Sequence, residues 1–164
     1  MLLEPLICMP QAWTFVWQRF GVHFFQGTLG IGDMDRLESE GDRWHAAHPG
    51  QLIEMVVIFP SDARMNTTER ERMIRLMKRR EKSRLASATV ILAEGITGAM
   101  HRSVLTGLML IARPPHPAKV CATIPDAIAF LMPHLRSLCD PRATHASMVV
   151  ALDEARAAFE ARAR

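Results

Sequence analysis

The chain has 164 residues, of which 49% are hydrophobic and 23% charged. That balance suits one globular domain able to bury a core without disulfides or metal, and it excludes a largely disordered chain. A net charge of +3 with pI ≈ 9.1 is too small to imply nucleic-acid binding on its own.

The opening MLLEPLICMP is apolar, yet it carries Glu4, is broken by Pro5 and Pro10 and lacks a basic start. It reads as an N-terminal extension over residues 1–11 rather than a signal peptide or anchor. Residues 12–20 then alternate Trp13, Phe15 and Trp17 against Thr14, Val16 and Gln18, the period of a strand. Gly21 reads as the turn of an antiparallel hairpin, with residues 22–29 as its second strand. Core packing is the stronger explanation of Trp13, Phe15 and Trp17; a ligand pocket is the alternative.

Met34, Leu37, Gly41 and Trp44 fall on one face of a helix, with Asp33 as its N-cap and His48-Pro49-Gly50 at its end. His45 and His48 have a metal-compatible i, i+3 spacing. No third ligand accompanies them, so histidines placed at a helix C-terminus are the better explanation.

The apolar run 52–59, interrupted by Glu54, predicts a buried parallel strand. Asn66, Thr67 and Thr68 are candidate caps for the next helix, and Thr68 with Glu71 fits a capping box. Met73, Ile74, Met77 and Leu85 are expected to face inward on that helix. Its basic run includes Lys78, Arg79, Arg80 and Lys82, interleaved with Glu69, Glu71 and Glu81. A solvated helix face explains the run; the same four cations are the candidate partner-binding residues.

Residues 88–93 read as another buried strand, followed by Glu94-Gly95-Ile96-Thr97-Gly98. Two glycines between strand and helix can cradle an anion, but a tight turn accounts for them equally and the spacing falls short of GxGxxG. Thr97 opens a helix whose Met100, Val104, Leu108 and Ile111 recur at helical spacing, and Pro114, Pro115 and Pro117 end it. Most of the eleven methionines read as core filler.

Residues 119–122 form a short strand, and Thr123 with Asp126 caps a helix bearing Ile128, Leu131, Met132 and Leu135. Pro133 is expected to kink that helix or end its regular part. From about residue 144 to 161 an Ala/Arg/Glu-rich amphipathic helix carries Met148, Leu152 and Phe159 on one side. That stripe must be buried on its own domain or on a second copy, and it supplies the candidate dimer contact.

Cys8, Cys121 and Cys139 are odd in number and widely spaced, with no CxxC or Cys/His finger. Reduced thiols and a cytoplasmic protein are expected. Pairs such as Glu94 with His101 or Cys121 with His116 sit in no recognisable catalytic motif. No catalytic residue, metal site or cofactor is therefore expected, and no run approaches the ~20 uncharged residues of a membrane span.

The order of these segments resembles the STAS family, the sulphate-transporter and anti-sigma-factor-antagonist domain, and especially its SpoIIAA-like members. The resemblance covers about residues 14–135. It is carried by Phe20-Gly21-Val22, Gln26-Gly27-Thr28, Ala88-Thr89-Val90-Ile91-Leu92 and Thr123-Ile124-Pro125-Asp126-Ala127-Ile128-Ala129-Phe130-Leu131. It implies an α/β fold: a mixed sheet of about five strands with an N-terminal hairpin, covered by about four helices over residues 12–139. The amphipathic helix of residues 140–164 would be an addition. It also implies a non-enzymatic regulatory or protein-binding module with a protein partner of unknown identity; the candidate homodimer comes from the C-terminal stripe, not from the resemblance. The alternatives are a carrier of an apolar ligand or lipid and a phosphoregulated anti-sigma-factor antagonist. Family antagonists carry a phosphorylatable serine in an Asp-Ser-Ser-Gly-like turn. Here the stretch is Ser61-Asp62-Ala63-Arg64-Met65-Asn66-Thr67-Thr68, which leaves Ser61, Thr67 and Thr68 as candidate phosphoacceptors without the Asp-Ser-Gly pattern.

Overall fold

The structure is a computed structural model, and it describes residues 2–61 and 66–162. One mixed sheet has six strands in chain order: β1 (Glu4–Cys8), β2 (Ala12–Trp17), β3 (Phe20–Phe25), β4 (Leu52–Ile58), β5 (Arg84–Ile91) and β6 (Ala118–Cys121). β1, β2 and β3 are antiparallel neighbours; β3 through β6 are parallel. The helices are α1 (Ile31–Ala47), α2 (Thr67–Arg80), α3 (Gly95–Ala112), α4 (Ile124–Leu138) and α5 (His145–Arg162), with a 3-10 turn at Glu81–Ser83. The chain thus has the expected mixed sheet, N-terminal hairpin and helical cover.

Three parallel crossovers step across the sheet in the same direction. A common right hand places α1, α2 and α3 on one face. α4 and α5 close the other, where strand residues such as Phe15, Phe24, Met55 and Val90 meet Leu131, Leu135, Met148 and Leu152. A smaller cluster under α1 and α2 joins Ile7, Met9, Ala12, Leu29, Met34, Leu37 and Leu76.

Several sequence expectations are corrected. The N-terminal extension contains a sixth strand: β1 pairs with β2 despite Pro5, the register shifting between Pro5 and Ile7. An edge strand at a bulge tolerates the missing donor. The hairpin turns at Gln18 and Arg19, with Gln18 at φ 52°, whereas Gly21 lies inside β3 opposite Val16. Glycine there makes room for Trp44, which lies on it; a Cβ would stand 3.0 Å from the Trp44 ring. Gly30 rather than Asp33 is the N-cap of α1.

The cap of α2 is Asn66, whose Oδ1 accepts from Glu69 N at 2.9 Å while Glu69 Oε2 accepts from Asn66 N at 3.0 Å. Thr67 and Thr68 are thereby released from the capping role and lie exposed in the first turn. α2 ends at Arg80, and Leu85 belongs to β5, which begins four residues before the expected strand. Ile74 is 45% exposed, and Leu76 is buried in its stead. The side chains of Arg70, Met77, Leu108 and Ala112 are outside the described set.

Pro133 does not end α4, which continues to Leu138. Thr123 caps it as expected, accepting from Asp126 N at 3.2 Å. Met148, Leu152 and Phe159 are at most 1% exposed within the chain's own core. They are therefore unavailable as a dimer contact: α5 is an integral layer of the domain rather than an appendage.

Candidate functional site

Two features stand apart from an ordinary α/β core: a buried polar cluster under α1 and the apolar outer side of α3. The cluster follows from strand alternation. Ile53, Met55 and Val57 point into the α4/α5 core, so Glu54 between them faces α1. Glu54 is 4% exposed, and a buried carboxylate requires partners. Arg84 of β5 donates to its Oε2, and His45 of α1 places Nε2 3.3 Å from its Oε1. Burial alone would raise the Glu54 carboxyl, but His45 and Arg84 outweigh it and hold the group at about 2.

His23 of β3 lies on the same side of the sheet, joined to Thr14 by a 3.0 Å hydrogen bond. Burial pushes its imidazole down to about 4, despite the opposing pull of Glu54. Burial also lowers His116, whose Nε2 is 2.9 Å from Ser87 Oγ. Both histidines are neutral when folded and charge when unfolded, so stability is fully present above pH ~6.5 and falls as pH drops toward the folded pKa. His23 is expected to account for roughly 2–3 kcal/mol lost between pH 6.5 and 4. Urea midpoints at pH 7 and 4.5 test this: His23→Gln should shrink the difference, and an unchanged difference would contradict the assignment.

Ser83 Oγ lies 3.3 Å from His45 Nδ1, which completes a Ser83–His45–Glu54 line. The order is that of a nucleophile, base and carboxylate, but the hydrogen bonding is not. Ser83 donates its proton to Arg80 O at 2.8 Å, so its hydroxyl hydrogen is not directed at His45 as a nucleophile's would be. The line ties α1 to the 3-10 turn.

The basic run is matched to α1. Arg72 pairs with Asp35 and Glu38, Arg79 with Asp42 at 2.9 Å, and Arg80 with Asp42 at 3.0 Å. Arg80 is 8% exposed and lies over Gly41, where a Cβ would come within 2.3 Å of its guanidinium. Of the four candidate partner-binding cations, Arg79 and Arg80 thus hold α2 on α1, while Lys78 and Lys82 are exposed. A shallow depression of about 280 Å³ over Asp42, His45, Arg79, Arg80 and Ser83 is walled by these paired groups.

His48 ends α1 with Nδ1 3.0 Å from Trp44 O, and its partner in the expected spacing, His45, faces Glu54. Among the described residues no group of three or more His, Cys, Asp or Glu side chains is placed to hold a metal, and no helix is long and apolar enough to cross a membrane. Burial raises the Cys121 thiol, while His116, its candidate partner, is engaged with Ser87. Ser61 is exposed, and Asp62 to Met65 lie outside the described residues.

The second feature is α3. Its inner side is Gly98, Arg102, Leu105 and Met109, which are buried or half-buried. Gly98 sits so close to β5 that a Cβ would fall 1.8 Å from Ala93 O. Arg102 clamps the same loop, donating to Ile91 O at 3.1 Å and Ala93 O at 2.9 Å. Gly98→Ala should therefore lift the first turn of α3 from the sheet. Its expected signature is faster amide exchange confined to the start of α3; unchanged protection there would contradict the contact. The Gly95–Gly98 segment is thus a packing turn, with Gly95 at φ 65°.

The opposite side of α3 faces water. Ile96 is 90% exposed, Met100 55%, Val104 58% and Ile111 80%, with Leu110 beside them at 72%. Met100, Val104 and Ile111, three of the four residues that spacing puts on one helical face, lie on this side, and the side chain of the fourth, Leu108, is outside the described set. The methionine among them, expected as core filler, points outward because Gly98, Leu105 and Met109 occupy the sheet side. A helix apolar on both sides is normally covered on both.

No family model matches the chain, and no curated protein matches it. A solved structure similar to it is that of an uncharacterised protein of the DUF3478 family from Shewanella loihica PV-4, described as having a SpoIIAA-like fold. The similarity has a TM-score of 0.57 at 13% identity and covers 73% of this chain and 91% of that one. At that identity it shows the fold: this chain has a SpoIIAA-like α/β fold.

Proposed function

We propose that the chain is a non-enzymatic protein-binding module of regulatory type, and that the outer side of α3 is its docking surface. The observation that carries this reading is the row of large apolar side chains on a helix whose other side is already packed on the sheet. Exposed apolar surface of this extent on a folded domain marks an interaction site. The absence of charged side chains from the row fits the core of a protein interface, where charge is depleted.

A carrier of apolar ligands would need an apolar chamber. Between sheet and α4/α5 the space is filled by Phe24, Phe59, Phe159 and Trp13, with ring centroids 5.0–6.0 Å from Phe159. A depression of about 410 Å³ at the ends of β5 and β6 mixes Leu92, Ile124 and Pro125 with the charged Glu94, Arg102, Asp153 and Arg156, so it is not an enclosed apolar chamber. Affinity capture from the native cell, with the full chain beside a Met100→Glu/Val104→Glu variant, tests the proposal. A protein retained by the parent and lost by an equally stable variant is expected. Equal retention by both would place the docking surface elsewhere.

A further inference from the structure

We infer that the occupant of the α3 surface is a second copy of this chain, paired antiparallel across a twofold axis near the middle of the helix. The inference rests on the reading of α3 as a docking surface and names the partner.

α3 has 18 residues, Gly95–Ala112, so its midpoint falls between Ser103 and Val104. The outward row is Ile96, Met100, Val104, Gly107 and Ile111. Its later members are spaced four, three and four apart, the a/d spacing of a helix–helix seam. Gly107 belongs to it: a Cβ there would meet nothing within 4 Å. Reversing the helix on itself about its midpoint sets Ile96 against Ile111, Met100 against Gly107, and Val104 beside its own twin. The row is therefore self-complementary. The largest flexible side chain faces the residue with none, and the β-branched residues meet at the centre and ends. A C2 contact requires this property of a single patch.

Charge does not oppose the pairing. The helix carries no Asp or Glu, and its one arginine, Arg102, spends its donors on Ile91 O and Ala93 O. His101 is the remaining titratable group on the helix and stands beside the row, not in it. A helix of this length spans about 27 Å, and one face of it covers less than the roughly 800 Å² per partner of a standard interface. The dimer is accordingly a dynamic one, in exchange with monomer at micromolar concentration.

Sedimentation velocity of the full chain across the micromolar range tests the inference. The weight-average mass should rise from one chain toward two, and Val104→Glu should hold it at one. Gly107→Leu is a second variant, since the added side chain projects into open space in the monomer. It should leave the thermal midpoint unlowered and still weaken the dimer at least tenfold. Register is tested by mixing Ile96→Cys chains with Ile111→Cys chains under mild oxidation: the mixture should cross-link well above either variant alone. A chain monomeric throughout, or a dimer indifferent to Val104→Glu and Gly107→Leu, would overturn the inference. If such a monomer still loses a captured protein through Met100→Glu/Val104→Glu, the docking reading stands and the occupant is a different protein. If α3 instead drives sedimentation with phosphatidylglycerol vesicles and no protein is captured, both readings fall.

Discussion

A chain ending at Cys139 is expected not to fold. α5 contributes Met148, Leu152 and Phe159, all at most 1% exposed, together with Ala151 and Ala155. Fully burying each of the three large side chains contributes roughly 1.5–3 kcal/mol. Their loss is comparable with the whole net stability of a domain, about 5–15 kcal/mol. Phe159 is the centre of this layer, with ring centroids 5.0 Å from Phe59, 5.8 Å from Phe24 and 6.0 Å from Trp13. Phe159→Ala alone should cost about 3–5 kcal/mol, because the surrounding rings cannot close the void. Circular dichroism with urea titration measures both effects. A truncated chain that still unfolds cooperatively would show that α5 is dispensable to the core.

Glu54→Gln should be strongly damaging, costing about 3–5 kcal/mol, because it removes the carboxylate from a buried charge pair with Arg84. Arg84 is 12% and His45 15% exposed at the side chain, so water replaces little of what the carboxylate supplied. Glu71→Gln, on the exposed face of α2, is the matched control and should stay within about 0.5 kcal/mol of the parent. The pH dependence has a definite sign. Glu54 is held low in the folded state, so its contribution is present above the unfolded carboxylate range and is lost as pH falls toward about 2. Glu54→Gln should therefore be most harmful near neutrality and converge on the parent in strong acid. A cost that is the same at both pH values would mean that the group acts by packing alone.

Much of the architecture is legible in the sequence because the apolar periods are strong. The runs 52–59 and 88–93, and the helical rows on α1 and α4, place the parallel strands and their cover. β1 is not legible in the same way, since Pro5 and Pro10 disguise a short edge strand. Gly21 misleads for a physical reason: glycine in a strand here makes room for Trp44 rather than for a turn. The matching of α2 to α1 is in principle readable, because Asp35, Glu38 and Asp42 recur at helical spacing opposite Arg72, Arg79 and Arg80. No local pattern links two helices across a crossover, however, and the basic run alone reads as a solvated face. Spacing identifies the row on α3 but not which way it points. A period shows that a face exists, while only the sheet position of Gly98 and Arg102 shows that it is turned outward.

Site-specific photo-cross-linking in the native cell tests the outer side of α3 directly. A benzophenone side chain replaces Val104 in one chain, and Glu71 on the exposed face of α2 in another. If the outer side of α3 is the docking surface, the probe at Val104 captures a discrete protein adduct and the probe at Glu71 does not. Adducts of equal yield from both positions, or none from Val104, would contradict it.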